Sequence, residues 1–473
     1  MELNYKSWHY SRWLIPFIII ASLIIIINPI ASADILIIGG ILFILGALIL
    51  EERLLLIFLL IRPAVDYWSS AEFGSIFGVS LNLNAFLAFL FLLWSSVMLI
   101  IHSEKIKALP LKIIFPITTL FFLITAIYSV DTTTTVIEVI KFSNLGLMLF
   151  ISYIFVSSRI INAKEILITI AFSAVIPIAV ALWQLVSGTG LDTFGIRGRL
   201  YGTLGHPNVF SFLLLFIFML HTQYSTIVPA EFWKKRKELK IFVYILLLVL
   251  LALTYTRIAF VGLAVFLVII GLIKYRKMLI IVTITAVSFY ALIPVANTIL
   301  IKYANTNLES YTIIHRLTTR NQDADSITWR SSLIKESLPI IYKEPLMGYG
   351  YGTFPLVWEE QRALDHIWDD SSEAHNDYLR MLMEGGLIGI ALYGLLLLKL
   401  LITSTKPLFK SVEKRYEYMY FFAWVLIFGG MGLTDNMLSH TPVMWLTFAW
   451  WGAVLANMKI ERKHINFLTD EKK

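Results

Sequence analysis

The sequence predicts an all-α integral membrane protein, a polytopic helical bundle of about 14 (12–14) transmembrane helices with one large extracytoplasmic loop. Three observations carry this expectation. Of the 473 residues, 58% are apolar and only 15% charged, far from the roughly 25% charge of an average soluble domain. Apolar runs near the ~20 residues needed to cross a bilayer recur along almost the whole length. The basic residues gather in alternate short loops, the pattern of a chain oriented by positive charge on the cytoplasmic side.

In chain order the runs fall near 14–30, 35–50, 54–65, 83–101, 111–130, 137–156, 166–187, 209–228, 240–256, 258–274, 278–301, 378–402, 417–434 and 441–458. The third is short and ends at Arg62-Pro63, so it reads as a tilted or re-entrant piece. With the N-terminus cytoplasmic, inside segments with their adjoining span ends hold 25 of the 39 Lys and Arg residues, and outside segments with theirs hold 12, of which 7 lie in the single long loop 302–377. Long loops translocate largely regardless of charge, so the short segments decide, and they place both termini inside. Losing one span would reverse every later loop and spoil the pattern. The chain thus divides into a transmembrane bundle (1–301), an extracytoplasmic loop subdomain (302–377), and C-terminal spans with a cytoplasmic tail (378–473). No internal repeat is visible.

Composition also excludes. The net charge of +7 lies in short loops that orient the spans, which argues against nucleic acid as a partner. The absence of cysteine rules out thiol chemistry, Cys-ligated zinc and disulfides. Lys6 and Arg12 precede the first apolar run, but no small-residue cleavage site closes it, so a cleavable signal is not expected. No phosphate-binding Gly-Lys-Ser/Thr loop appears, and acidic residues within the spans are too few for a proton relay.

Within the long loop, "SITWRSSLIKESLPIIY" has helical spacing, and "KEPLMGYGYGTF" follows with Pro and three Gly, a turn with close backbone approach. A small folded subdomain on the membrane face is expected there.

Basic residues in the short outside segments need a reason. Arg197 and Arg199 precede the eighth span, and Arg257 sits in a tight turn between the ninth and tenth. A single arginine at a helix end commonly snorkels to headgroups. Three on the side that the charge bias disfavours suggest a phosphate site instead, because guanidinium donors match phosphate oxygens. The stretch "SSEAHNDYLRMLMEGG" puts a titratable cluster at the lip of a span. A lone interfacial histidine is often only an amphipathic boundary residue, but Ser371 or Ser372 can cap this helix. His375 would then lie in its first turn as a candidate general base, supported by Glu373, Asn376 and Asp377. Arg380 with Glu384, and Glu138 with Lys141, read as self-neutralising pairs. Asp435 and Asn436 stand at the edge of the same site. A metal cluster of His366, Asp369, Asp370 and His375 is disfavoured, because adjacent carboxylates do not easily face one ion.

"RLYGTLGHPNVF" (199–210), "TYTRIAF" (254–260), "WRSSLIKESLPIIYKEPLMGYGYGTF" (329–354) and "HNDYLRMLMEGGLIGI" (375–390) together resemble, in order and spacing, the O-antigen ligase and polymerase superfamily. The resemblance covers roughly 185–400. It implies a GT-C-like membrane glycosyltransferase, inverting and metal-independent, without cofactor, using an undecaprenyl-diphosphate-linked oligosaccharide donor and a glycan acceptor at the outer face of the bacterial cytoplasmic membrane. Carried over by motif, His375 is the catalytic base and Arg199 and Arg257 hold the diphosphate. Arg330 matches the loop arginine, although Ile334 stands where an aromatic is usual. Arg197 lies outside the motif and joins the set on charge alone. Polymerase and ligase share this site. The 14 spans rather than 12, and an Ile- and Lys-rich composition without sign of an outer membrane, lean towards a surface-polysaccharide polymerase, for which a chain-length regulator is a conceivable partner. The alternatives are a ligase acting on lipid A core or protein, and a lipid-linked glycan flippase, which would need no base and would show inverted repeats.

Overall fold

The computed structural model describes residues 43, 46–47, 49–69, 71–76, 79–109, 111–193, 196–228, 230–277, 279–280, 284, 326–361, 373–410 and 415–470. The span expected near 14–30, almost all of those near 35–50 and 278–301, loop residues 302–325, Ser371 and Ser372, and the His366, Asp369 and Asp370 cluster lie outside these residues.

Helix is nearly the whole architecture. The described helices used below are α1 (Leu54–Val65), α2 (Leu83–Ile101), α3 (Ile114–Thr125), α4 (Thr132–Ser157), α5 (Ala163–Ser173), α6 (Val175–Ser187), α7 (Pro207–Ile227), α8 (Lys237–Leu253), α9 (Arg257–Ile273), α10 (Ser326–Ile341), α11 (Phe354–Gln361), α12 (Asp377–Lys410), α13 (Arg415–Met431) and α14 (Thr441–Asp470). Two antiparallel hairpins, β1 (Glu72–Ile76) with β2 (Val79–Asn82) and β3 (Leu191–Thr193) with β4 (Ile196–Arg199), complete the set. Among the described residues, five helical segments are long and apolar enough to cross a membrane: 83–101, 132–157, 163–187, 207–227 and 377–405. Apolar helices at 114–125, 257–273 and 418–431 are shorter. The protein is therefore a helical membrane protein. The single run expected at 166–187 is two helices that meet at Ala174.

α4 and α14 form the centre. Trp445, Trp450 and Trp451 of α14, Trp424 of α13, and Phe142, Tyr153 and Phe155 of α4 are fully buried. Gly452 lets the two helices touch, since a Cβ there would sit 2.3 Å from the Leu149 carbonyl oxygen. Large apolar side chains point outward elsewhere: Ile100, Leu120, Val186 and Ile245 are exposed, an outer surface suited to lipid. α1 does not read as a lipid-facing span. Its twelve residues are almost wholly buried, and Arg62 near its end bonds Asn84 Oδ1 at 2.8 Å and Thr441 Oγ1 at 2.6 Å.

α12 is broken at Gly386, whose φ of 60° and ψ of −159° are not helical. A break in an apolar span strands backbone groups that must find partners, and the glycine-rich loop supplies them. Tyr349 and Gly350 donate backbone N–H to the carbonyls of Met383 and Glu384 at 3.0 and 2.9 Å, and Leu387 and Ile388 donate to the carbonyls of Pro345 and Leu346 at 2.9 and 3.3 Å. The approach is so close that a Cβ on Gly386 would lie 2.3 Å from the Leu346 carbonyl carbon. Beside this splice, α10 and α11 pack a small apolar cluster, including Leu333, Phe354, Val357 and Trp358, onto Leu379 and Met383 of α12.

Two charge pairs join α4 to α12. Glu138 meets Lys141 at 2.5 Å and Arg380 meets Glu384 at 2.9 Å, as spacing suggested, and Arg380 also reaches Glu138 at 3.2 Å, so the pairs form one chain. Arg380 further donates to Ser439 Oγ, which ties the network to the loop before α14.

Candidate functional site

Several helix ends meet at one end of the bundle. α7, α9, α12 and α14 start there, while α8 and α13 finish there, and their connecting turns carry most of the polar residues noted in the sequence.

Arg199 closes β4 beneath these turns and is buried. Gln184 of α6 positions the following residues by accepting the N–H groups of Tyr201 and Gly202 at 3.1 and 3.0 Å and donating to the Gly202 carbonyl at 2.9 Å. Leu200 N–H donates to the Leu253 carbonyl at 3.1 Å, which pins the strand end to the end of α8. The Arg199 guanidinium then donates through Nε to the Thr254 carbonyl at 3.0 Å, and Nη2 lies 3.4 Å from both Asn208 Oδ1 and Thr256 Oγ1. Arg257 follows Thr256 as the first residue of α9, half-buried. The structure thus brings Arg199 to the turn that bears Arg257, although they are far apart in sequence. Arg197, two residues earlier on the hairpin, is exposed.

Asn208 extends the network. Its Nδ2 donates to Asp435 Oδ2 at 2.7 Å, while Asp435 Oδ1 lies 3.0 Å from His440 Nε2 and 3.9 Å from His375 Nδ1, and accepts the Asn436 N–H at 2.9 Å. This buried carboxylate is the hub of the site. Burial opposes its charge most strongly, but His440 and His375 together outweigh that and hold the Asp435 carboxyl well below the usual carboxylate range. Burial likewise opposes a charged His440, and Asp435, with Asp377 and Glu373, more than compensates, raising its pKa.

His375 does not lie in the first turn of α12. The capping residue is Asn376, whose Oδ1 accepts the N–H groups of Tyr378 and Leu379 at 2.9 and 3.0 Å, so His375 stands just outside the helix with φ 43° in the left-handed region. Such a conformation is costly for a side chain with a Cβ and persists where surrounding contacts impose it. Here Asn376 N–H donates to Asn436 Oδ1 at 3.0 Å, and Asp377 N–H to the Gly432 carbonyl at 2.8 Å. Trp329 of α10 meets the His375 ring edge to face at 5.1 Å, and the Arg330 guanidinium lies 6.0 Å from the centre of the Trp329 ring. Glu373 accepts from Asn436 Nδ2 at 2.6 Å. Asp377 is buried, accepting Leu438 N–H and Tyr393 O–H, each at 3.4 Å. The carboxylate that faces His375 is therefore Asp435, contributed by the loop between α13 and α14.

Sequence reasoning passed over Asn208, Thr256, His206 and His440. The first three stand inside quoted motifs, and hydrogen-bonding residues flanking an arginine at a span boundary were the available signal. His440, like His375, is a histidine at the lip of an apolar run. Among the described residues, no group of three or more His, Asp or Glu side chains is placed to hold a metal ion.

No curated protein matches the chain. Residues 242–394 match a family model described as O-antigen ligase. That stretch holds the Arg257 turn, α10, the glycine-rich loop and His375, whereas Arg199, Asn208, Asp435 and His440 lie outside it. By this match, residues 242–394 of this membrane protein are similar to the O-antigen ligase family, in keeping with the superfamily that the motifs resemble.

Proposed function

We propose that the protein is a membrane glycosyltransferase that transfers a glycan from an undecaprenyl-diphosphate donor to an acceptor sugar hydroxyl at the outer face of the bacterial cytoplasmic membrane, as a surface-polysaccharide polymerase. The observation that carries this reading is the joining of His375, through Asp435 and Asn208, to the buried Arg199 and the Arg257 turn. A base and a pair of guanidinium groups at one end of an apolar bundle suit a reaction between a hydroxyl and a lipid diphosphate.

In this mechanism the acceptor hydroxyl gives its proton to His375 as its oxygen attacks the anomeric carbon. The bond from that carbon to the diphosphate oxygen breaks, and the leaving oxygen keeps the electron pair. Arg257 and Arg199, with Arg197 and Arg330 at the periphery, stabilise the diphosphate charge, so neither a metal nor a proton on the leaving group is required. Attack from the opposite face inverts the anomeric centre. Asp435 orients the His375 ring and stabilises its protonated form. With fourteen spans in a GT-C-like arrangement, the site opens to the outside, where the finished repeat units reside.

The test is incubation of the purified protein with a lipid-linked repeat unit. A product ladder supports a polymerase, one transfer onto lipid A core or protein without a ladder indicates a ligase, and movement of lipid across the bilayer without a covalent product indicates a flippase. His375→Ala should lower turnover about 10²–10⁴-fold while the protein still folds and binds donor. Near wild-type elongation by this variant would remove His375 as the base.

A further inference from the structure

His206 has no role in the mechanism above, yet it stands between Arg199 and the start of α7. As the capping residue of α7 it accepts the Asn208 N–H on Nδ1 at 3.1 Å. A ring nitrogen that accepts a backbone hydrogen bond carries no proton, so the neutral ring must carry its proton on Nε2. Nε2 has no hydrogen-bond partner among the described residues, and the ring is only partly buried, so this donor is accessible to a ligand. The charged groups near enough to act on it are those of the site itself: Arg199, Asp435, His440 and His375.

Two facts separate this from a bare helix terminus. The first N–H of α7 is missing because residue 207 is proline, and the second is used by His206, so neither backbone group is available to a ligand. The open donor is a side chain with a fixed tautomer. Its surroundings also deny it a charge: burial first, and Arg199 second, push the His206 pKa down to about 4.

We propose that His206 is a substrate-binding residue that donates its Nε2 hydrogen to an oxygen of the lipid-linked diphosphate, as an uncharged donor beside Arg199. The chemistry fits a dianionic group bound against arginines, because a third cation would cost desolvation energy whereas a neutral N–H adds a directional bond. It also couples substrate to scaffold. Asn208, whose N–H fixes the tautomer, is the residue that links Arg199 to Asp435.

The proposal rests on the diphosphate reading of the site, and the experiment separates the two. Binding of a polyprenyl diphosphate and of the matching polyprenyl monophosphate is measured on the full-length protein in nanodiscs, for wild type, His206→Ser and His206→Asp. Both replacements keep a good helix cap, so the fold should survive in at least one of them, and thermal melting verifies this. The serine variant should bind the diphosphate about tenfold more weakly, in keeping with loss of one hydrogen bond to a charged group, and the aspartate variant more weakly still. The ratio of wild-type to serine-variant affinity should stay constant from pH 5 to pH 8, because the ring is neutral throughout that window. A wild type that does not prefer diphosphate to monophosphate would overturn the diphosphate site as a whole. Wild-type binding with unchanged affinity in both variants would overturn the role of His206 alone, and a ratio that falls as pH rises through 6.5 would show a cation instead of a neutral donor.

Discussion

Asp435 and His440 show how a buried carboxylate is kept charged at the lip of a membrane bundle. The Asp435 pKa lies below its ordinary 3.8 and that of His440 above its ordinary 6.5. The carboxylate's contribution to stability is thus present above pH 3.8 and lost as pH falls through its depressed value. The imidazolium's contribution is full below 6.5 and lost as pH rises through its raised value. Melting temperature should therefore be lower at pH 9 than at pH 6, and His440→Gln should flatten that difference; a variant that keeps the whole drop would place its origin elsewhere. Asp435→Ala should be more damaging than Asp435→Asn, because alanine leaves Asn208 and His440 facing an empty site, at a cost of about 1–3 kcal/mol for each buried group left unsatisfied. Thermal melting of the two variants measures this. At this scale the sequence was partly legible. His375, Arg199 and Arg257 stood out as candidates because charge at a span boundary is costly and calls for a reason. The partner of His375 was not, because the nearest carboxylates in sequence, Glu373 and Asp377, face Asn436 and the loop before α14.

The splice between the glycine-rich loop and α12 is the element on which the site's geometry depends. Gly348, Gly350, Gly352 and Gly386 all have positive φ, and a Cβ on Gly350 would lie 2.3 Å from Ser129 Oγ. Gly386→Ala should therefore combine left-handed strain with a clash against the Leu346 backbone and cost more than about 2 kcal/mol. Gly188→Ala is the control: it caps α6 with φ 68° and has nothing within 4 Å of its Cβ position, so strain alone, about 1 kcal/mol, is expected. Thermal melts of the two variants give the comparison, and equal losses would mean that the loop does not hold the break in α12. The sequence announced the close approach through Pro and repeated Gly. That the loop would take over the hydrogen bonds of a broken span was not legible, because α12 reads as one continuous apolar run.

For the whole molecule, the sidedness expected from charge is open to test. The chain has no cysteine, so single introduced thiols report cleanly. In intact cells a membrane-impermeant maleimide should label Tyr342→Cys, at a side chain 76% exposed just after α10, while Lys105→Cys and Lys234→Cys should react only after permeabilisation. The opposite pattern would invert the topology and put the site on the cytoplasmic face. Replacing Arg380 with Met should reduce folded protein sharply, since it strips Glu138 and Glu384 of their shared cation inside the bundle, and breaking such a buried pair typically costs 3–5 kcal/mol. Yield of folded protein by size-exclusion chromatography measures it.

Read alone, the sequence was enough to show a helical membrane protein, to reveal its resemblance to the O-antigen ligase and polymerase superfamily, and to offer His375, Arg199 and Arg257 as candidates. Hydropathy, charge bias and local motifs are properties of neighbouring residues, so they survive in one dimension. Folding alone brings Asn208 and Asp435, 227 positions apart, together to join the arginine turn to the histidine, makes Asn376 the cap of α12, and sets His206 Nδ1 against the Asn208 N–H. Each of these depends on which helix ends meet at one end of the bundle. In apolar surroundings that meeting is governed by packing and by the need to satisfy every polar group, and neither leaves a pattern along the chain.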